Sequence, residues 1–230
     1  MQRPMYLTPD LVARVPPHED TSGLMSTRSD RPTDAEHAEA AASLVQGGQA
    51  SGAVWVFASG LLIWNPEFDF VEEGPGTVYG WHRSFCLGWV RIYRGTPENP
   101  GVLLAMDRGG SCNGVAFRLL PGAEMDNLLL LSRREMPIKR VEPPARWTIV
   151  QTAQGPIRAI AFPISRRRPA YPPELTEDQV VNTLSIACGK RGSMAGYPYS
   201  PVRHLEERGI HDRSLRRLKK LVADRLSAIP

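Results

Sequence analysis

The chain has 230 residues, of which 42% are hydrophobic and 23% are charged. This composition is ordinary for a globular protein and argues against wholesale disorder, and the length suits one domain with appendages. The formal net charge is +4, and residues 203–230 hold eight Lys/Arg against four Asp/Glu. A solvated helix face explains that excess more simply than nucleic-acid binding does, so we expect no nucleic-acid partner.

The N-terminal residues, MQRPMYLTPDLVARV, contain no apolar run of the kind a signal peptide needs, about 7 to 15 residues. The three cysteines, Cys86, Cys112 and Cys188, form no C-x-x-C pair and leave an odd one over, which argues against a secreted disulfide framework. The apolar stretch from residue 54 is too short to span a bilayer, which needs about 20 residues. We therefore expect a cytoplasmic protein with no membrane partner.

Residues 1–50 are expected to form an N-terminal arm and one helix, ahead of the main domain at 51–230. The arm is rich in Pro, Ser, Thr and Asp, and its segment LTPDLVARV predicts a short helix starting at Thr8. Thr33 and Glu36 have capping-box spacing, and the Ala-rich run that follows them stops at Gly47-Gly48. This pattern predicts a helix of about three turns.

The middle of the chain is rich in short β-type segments divided by Gly and Pro. Between residues 52 and 162 they are AVWVF, GTVYGW, SFCLGWV, VLLAM, CNGVAFRL, WTIVQT and IRAIAF. Seven short strands in this space favour a small mixed or antiparallel barrel over a doubly wound sheet.

One segment of this region breaks the strand pattern. Residues 123–135, AEMDNLLLLSRRE, show no alternation and are long enough for a helix. Pro137 must stop that helix, because the residue before a proline is pushed out of the α region. Glu135 is therefore predicted to lie on the last helical turn.

The C-terminal third predicts loops and two helices. A proline-broken basic loop, SRRRPAYPPEL, follows Pro163, and a helix is expected over about 176–188, ending before Gly189. The loop GKRGSMAGYPYSP follows. The last element is an amphipathic helix from Asp212, with Leu215, Leu218, Val222 and Leu226 on one stripe.

Several common site motifs are absent. Neither G-x-G-x-x-G nor G-x-x-x-x-G-K-[ST] occurs, which weakens dinucleotide and P-loop interpretations. The histidines form no H-E-x-x-H and no cluster with cysteines, and there is no G-x-S-x-G elbow. If the chain is an enzyme, we expect its chemistry to need no metal, no cofactor and no activated nucleophile.

Four segments are informative by their order and spacing: VWVFASGLLIWNP, GWHRSFCLGWVRIYRGTPENPG, GGSCNGVAFRL and LLLLSRREM. Together they resemble the ChaC-type gamma-glutamylcyclotransferases, enzymes that release 5-oxoproline from the gamma-glutamyl end of glutathione. The resemblance is strong from about Trp55 to Glu135 and weaker to about residue 226. It implies an α+β fold, a small mixed β-barrel flanked by helices, with residues 51–230 as the catalytic domain.

The resemblance also implies site residues. In this family a strand and turn with consensus G-Y-G-S-L wraps its backbone around the gamma-glutamyl group, and a glutamate in an R-E motif acts as acid/base. That glutamate corresponds to Glu135, and Tyr197 matches the tyrosine of a later N-x-x-Y element. The implied substrate is glutathione or another gamma-glutamyl compound. The strand and turn, which we call the cradle, consist here of Val56, Phe57, Ala58, Ser59, Gly60, Leu61 and Leu62.

The chemistry itself explains why one carboxylate suffices. The substrate's own α-amine must attack its γ-carbonyl in the uncharged form, closing a five-membered ring and expelling the Cys-Gly amine. A carboxylate at Glu135 can take the proton from the ammonium and then give it to the leaving nitrogen. Holding the substrate in a folded conformer supplies much of the acceleration, because both reacting groups belong to one molecule.

The cradle departs from the family consensus at Ala58, Ser59 and Leu61, and Met194 occupies the asparagine position of the later element. Backbone donors survive such changes, whereas side-chain contacts do not. Two hypotheses therefore stand: an active gamma-glutamylcyclotransferase, and a catalytically weakened relative that binds gamma-glutamyl ligands or a protein partner without turnover.

Two arginines are candidates for binding a substrate carboxylate in a bidentate manner. They are Arg83 in WHRSF and Arg94 in YRGT. Pairing with an acid or carbonyl of the barrel is the more common role for such a residue, so both interpretations stay open. We include Arg83 among the expected substrate-binding residues.

Overall fold

A computed structural model describes residues 7–15, 31–48, 52–91, 93–137, 139, 145–164, 175–197 and 199–228. Its strands are β1 Trp55–Ala58, β2 Phe70–Val90, β3 Gly101–Leu119, β4 Arg146–Thr152 and β5 Gly155–Ala161. They close into a barrel in the order β1-β3-β2-β4-β5. All neighbours are antiparallel except β1 and β5, which are parallel. The predicted α+β fold with a small mixed barrel is therefore confirmed.

The predicted count of seven strands is wrong, because four predicted segments merge into two long strands. GTVYGW and SFCLGWV both lie in the 21-residue β2, and VLLAM and CNGVAFRL both lie in the 19-residue β3. The register shifts between Tyr79 and Trp81, where Gly80, Gly109 and Gly110 have φ values of 81°, 105° and 65°. Glycine adopts these angles without strain, so the ribbon bends here and continues.

The described residues form six α-helices: α1 Pro9–Ala13, α2 Asp34–Gly48, α3 Glu124–Glu135, α4 Glu177–Ile186, α5 Tyr199–Glu207 and α6 Arg213–Ser227. The helix starts predicted at Thr8 and Asp212 are confirmed, since Thr8 caps α1 and Asp212 caps α6. At α2 the Glu36 N–H donates to Thr33 Oγ1 at 3.2 Å, and the Thr33 N–H donates to Glu36 Oε2 at 2.6 Å. The expected capping box is thus confirmed.

The region after α4 differs from the prediction in two respects. The helix ends at Ile186 rather than near residue 188, and a small hairpin follows, with β6 Cys188–Gly189 paired to β7 Gly192–Ser193. The sequence also predicted a loop where α5 begins. The predicted loop ended at Pro201, which lies in the first turn of α5, where a proline is tolerated. The predicted loop after Pro163 and the arm at 16–30 lie outside the described residues.

The buried side chains form two clusters on the two faces of the barrel wall. Successive strand side chains point to opposite faces, so β1 contributes Phe57 to one cluster and Val56 and Ala58 to the other. The cluster that contains Val56 and Ala58 joins the strands to the helices, including Leu128 of α3 and Leu226 of α6. The cluster that contains Phe57 consists of strand residues alone and fills the barrel: Phe57, Val78, Met106, Cys112, Ala116, Val150, Ala159 and Ala161.

Helix α2 packs on the last turn of α3 through polar contacts. The buried His37 Nδ1 lies 2.8 Å from Ser132 Oγ. Arg133 Nη2 donates to Asp34 Oδ1 at 2.9 Å. These contacts hold the turn of α3 that ends in Glu135. The other end of α2 reaches the barrel, where Gly47 and Gly48 pack against the ring of Trp147.

The close approach of β3 to the end of β1 generates a stability prediction. A Cβ at Gly114 would meet the backbone oxygen of Ala58 and would lie 2.6 Å from the ring of Phe57. We expect Gly114→Ala to lower the free energy of unfolding by about 1 to 3 kcal/mol, measured by urea denaturation, because the core is overpacked.

The neighbouring strand supplies a matched control. A Cβ at Gly74 meets no heavy atom within 4 Å. Gly74→Ala should therefore change the free energy of unfolding by less than about 0.5 kcal/mol. Equal losses in the two variants would contradict the packing assigned to Gly114.

Candidate functional site

Glu135 is the last residue of α3, as the sequence predicts. Leu128 and Leu131 of the same helix are fully buried against the barrel and fix its position. The next residue leaves the helix, and the Met136 N–H donates to the Ser132 oxygen at 2.9 Å. The side chain of Glu135 is 26% exposed, so its carboxylate is anchored at one end and still reachable from solvent.

Arg134 connects Glu135 to the loop that follows the cradle. Its Nε lies 3.4 Å from Glu135 Oε1. Its Nη1 donates to the Asn65 oxygen at 2.6 Å and lies 3.0 Å from Glu67 Oε2. This loop begins directly after the 3₁₀ turn Leu61–Ile63. One guanidinium therefore links the end of α3 to the end of the cradle.

Tyr197 interacts electrostatically with Glu135 from the turn that precedes α5. Its ring contacts Phe85 edge-on, with the ring centroids 6.1 Å apart. The pKa of Tyr197 is raised to about 12, chiefly by burial. Arg94 and a backbone hydrogen bond from Leu104 lower this pKa, whereas the charge of Glu135 raises it. Tyr197 therefore keeps a neutral hydroxyl at physiological pH.

The cradle is buried at its strand end and open at its turn. Residues 56–58 are at most 1% exposed, so neither their side chains nor their backbone is accessible to a ligand. Leu62 is also buried, whereas Leu61 is 42% exposed. Gly60 precedes the 3₁₀ turn, and a Cβ there would meet no heavy atom within 4 Å. The accessible backbone of the cradle is thus at Ser59, Gly60 and Leu61.

Arg83 binds protein groups with all three of its nitrogen atoms. Its Nε donates to the Ser59 oxygen at 2.5 Å, its Nη2 donates to the Asn113 oxygen at 2.6 Å, and its Nη1 forms an ion pair with Asp212. The side chain is only 2% exposed. Asp212 also accepts a hydrogen bond from the Leu215 N–H at 2.9 Å. Arg83 anchors the cradle turn, and its direct contact with substrate stays a prediction.

Sequence reasoning missed two functions that long-range contacts reveal. Asp212 was predicted only as the start of a helix, although it also neutralises Arg83, 129 residues away. The contacts of Arg134 with the loop after the cradle were not predicted. No local pattern predicts the two contacts, because each depends on how the barrel closes.

Met194, at the family's asparagine position, is fully buried in the cluster that joins the strands to the helices.

Several basic residues of α6 have acidic partners. Arg216 lies 2.6 Å from Glu206, Arg217 lies 2.6 Å from Glu177, and Arg225 lies 3.2 Å from Asp178. In the part of the chain that the structure describes, no helix is long and apolar enough to cross a bilayer. Within the same residues, no three His, Cys, Asp or Glu side chains gather as they would around a metal ion.

The chain is similar to known proteins in sequence and in fold. A family model described as ChaC-like protein matches residues 54–225. The glutathione-specific gamma-glutamylcyclotransferase of Escherichia coli (strain K12) is 36% identical over 178 residues, which cover 75% of this chain and 76% of that protein. The glutathione-specific gamma-glutamylcyclotransferase 1 of Mus musculus is 30% identical over 139 residues, which cover 59% and 61%.

The similarity in fold extends over the same share of the chain. The crystal structure of a yeast gamma-glutamylcyclotransferase specific to glutathione superimposes with a TM-score of 0.64. It covers 75% of this chain and 96% of the yeast chain, at 16% sequence identity. At this sequence identity the match shows a shared fold and nothing more.

The buried ion pair at the cradle gives a prediction that separates charge from helix capping. Asparagine caps a helix about as well as aspartate, so Asp212→Asn should keep the cap of α6 while leaving Arg83 without a counter-charge. We expect the free energy of unfolding, measured by urea denaturation, to fall by about 3 kcal/mol.

Asp224 provides the control on the same helix. Its ion pair with Lys220 is 2.5 Å long, and both side chains are about half exposed. Asp224→Asn should therefore cost less than about 1 kcal/mol. A similar loss in both variants would contradict the larger contribution to the free energy of unfolding that we assign to the buried Arg83–Asp212 pair.

Proposed function

The chain belongs to the ChaC-like protein family, and we propose that it is a gamma-glutamylcyclotransferase that converts glutathione into 5-oxoproline and Cys-Gly. The observation that carries this proposal is the match of the family model over residues 54–225, which include the cradle, Glu135 and Tyr197. The relatives in Escherichia coli and Mus musculus bear the name of this lyase activity with glutathione as substrate.

The reaction exchanges one carbon–nitrogen bond for another within the substrate. The lone pair of the α-amine attacks the γ-carbonyl carbon, and the tetrahedral intermediate collapses with loss of the Cys-Gly nitrogen. The ammonium loses two protons as it becomes the lactam nitrogen, one before attack and one from the tetrahedral intermediate. The amide nitrogen of Cys-Gly gains two as it leaves as an ammonium, so removal from one nitrogen and delivery to the other balance. A single positioned carboxylate can carry both transfers.

Glu135 is the carboxylate to which we assign these transfers. It is fixed by α3 and by Arg134, yet its side chain is 26% exposed and can meet a bound substrate. Tyr197, which interacts electrostatically with this carboxylate, keeps a neutral hydroxyl, since its pKa is raised to about 12. A neutral donor can orient the carboxylate or the substrate without adding charge to the site.

The accessible backbone at Ser59, Gly60 and Leu61 is proposed to hold the gamma-glutamyl end. Arg83 fixes the Ser59 carbonyl, and Arg134 fixes the following loop through Asn65, so the turn is held on both sides before substrate arrives. The backbone N–H groups of a turn that is held in this way are preorganised donors, and such donors stabilise developing charge at little reorganisation cost. The changes from the family consensus affect side chains and leave the backbone donors in place.

We place this reaction in the cytoplasm, where glutathione keeps thiols reduced. The three cysteines, Cys86, Cys112 and Cys188, are free and buried, in keeping with a reducing compartment. The binding of gamma-glutamyl ligands without turnover is the alternative that the functional test must separate from catalysis.

The test is to incubate the purified chain with glutathione and to quantify 5-oxoproline. We expect turnover by the wild type, and a fall in kcat of about 10² to 10⁴ in Glu135→Gln, because the amide cannot accept or deliver the proton. Glu67→Gln is the matched control, since Glu67 contacts the same guanidinium of Arg134 as Glu135 does. It should keep most of the activity.

Two results would contradict this assignment. Undiminished activity in a folded Glu135→Gln variant would remove Glu135 from the mechanism. Saturable binding of glutathione by calorimetry, with no 5-oxoproline from the wild type, would replace the enzyme by the non-catalytic alternative.

A further inference from the structure

Arg94 is a partly buried arginine whose charge has no acidic partner among the described residues. It lies in the connection between β2 and β3, where its Nη1 donates to the Ser193 oxygen at 3.1 Å. Its guanidinium carbon stands 5.3 Å from the centre of the Tyr197 ring. These contacts position the guanidinium without neutralising it.

A cation in this position is energetically costly. Burial lowers the pKa of Arg94, and the positive charge of Arg191 acts in the same direction, while Tyr197 opposes them. Arg83 differs from Arg94 in this respect, because Arg83 is buried but its charge is paired with Asp212. A partly desolvated charge without a partner loses hydration and gains no ion pair in return. Such a site is suited to an anion that arrives from outside.

Arg94 and Glu135 are connected through one side chain. Arg94 lies over the ring of Tyr197, while the charge of Glu135 acts on the hydroxyl of that same tyrosine. Both charges therefore act on Tyr197, the guanidinium over its ring and the carboxylate through its electrostatic interaction with the hydroxyl. A ligand that spans Tyr197 can place an anion at Arg94 while its reacting atoms lie at Glu135.

The gamma-glutamyl peptide glutathione has two carboxylates. One is attached to the same α-carbon as the attacking amine, so it must lie with the reacting end of the substrate at the cradle. The other is at the end of the departing Cys-Gly unit, which spans about 7 Å when extended. That length suffices to pass one phenol ring, and a guanidinium pairs with a carboxylate through two parallel hydrogen bonds.

We propose that Arg94 binds the carboxylate of the departing peptide and thereby selects gamma-glutamyl peptides over gamma-glutamyl amines. This assignment rests on the proposed function, since it takes glutathione as the substrate and Glu135 as the reacting centre. Arg191 strengthens the positive field at this position, because it lies close enough to act on Arg94.

The experiment compares glutathione with its C-terminal amide, which has the same length and lacks only the second negative charge. For the wild type we expect kcat/KM for the amide to be lower by about 10- to 100-fold, mainly through KM. Arg94→Gln should use the two compounds equally, because its side chain has no charge to pair. Arg94→Lys should keep part of the preference as a point charge.

Arg108→Gln is the matched control for loss of an arginine that lies over an aromatic ring. Arg108 stands 5.9 Å from the centre of the Trp81 ring and is exposed. This variant should keep the full preference for the acid. Equal use of both compounds by the wild type would overturn the proposal. So would an Arg94→Gln variant that loses activity on both while keeping their ratio, since that is the result of a purely structural arginine.

Failure of the proposed function would look different. If the wild type forms no 5-oxoproline from either compound, calorimetry with the same two ligands still decides the role of Arg94. Tighter binding of glutathione than of its amide by the wild type, lost in Arg94→Gln, would support the carboxylate site. Equal affinities would overturn it.

Discussion

The buried guanidinium of Arg83 joins three parts of the fold that are far apart in the chain. It holds the carbonyl of Ser59 at the end of β1, the carbonyl of Asn113 on β3, and the carboxylate of Asp212 at the start of α6. A charge with 2% of its side chain exposed persists only when its hydrogen bonds are satisfied, so these three groups must meet in one place. The shape of the cradle turn follows from that requirement, because the turn begins at Ser59.

Arg134 has the corresponding role on the other side of the proposed site. It contacts Glu135 at the end of α3 and the loop at Asn65 that leaves the cradle, so the proposed acid/base residue and the proposed binding turn share one support. Helix α2 adds a second support, since His37 lies against Ser132 one turn before Glu135. This helix precedes the segment that the ChaC-like family model matches. The N-terminal part of this chain therefore supports the end of α3, which carries the proposed acid/base residue and lies within the matched segment.

The sequence predicted what local chemistry determines. The predicted helix starts at Thr33 and Asp212 and the stop at Pro137 match the helices, and the short β-type segments together with the family resemblance predicted the barrel. The strand count was wrong because Gly80 bends a continuous strand. Helix α5 was missed because residues 189–201 were predicted as one loop, although Pro201 lies in the first turn of a helix, where it is tolerated. Both errors involve Gly or Pro residues whose effect depends on their position within an element. The pairing of Arg83 with Asp212 could not be predicted from a local sequence pattern, since it forms only when the barrel and α6 come together.

The central claim is that the substrate's own amine, and no water molecule, attacks the γ-carbonyl in a site that holds both reacting groups. Proton NMR of glutathione incubated with the wild-type chain tests this most directly, because the two routes give different products. Intramolecular attack predicts 5-oxoproline and Cys-Gly in equal amounts throughout the time course, with no glutamate. The appearance of glutamate with Cys-Gly would mean hydrolysis and would contradict the account.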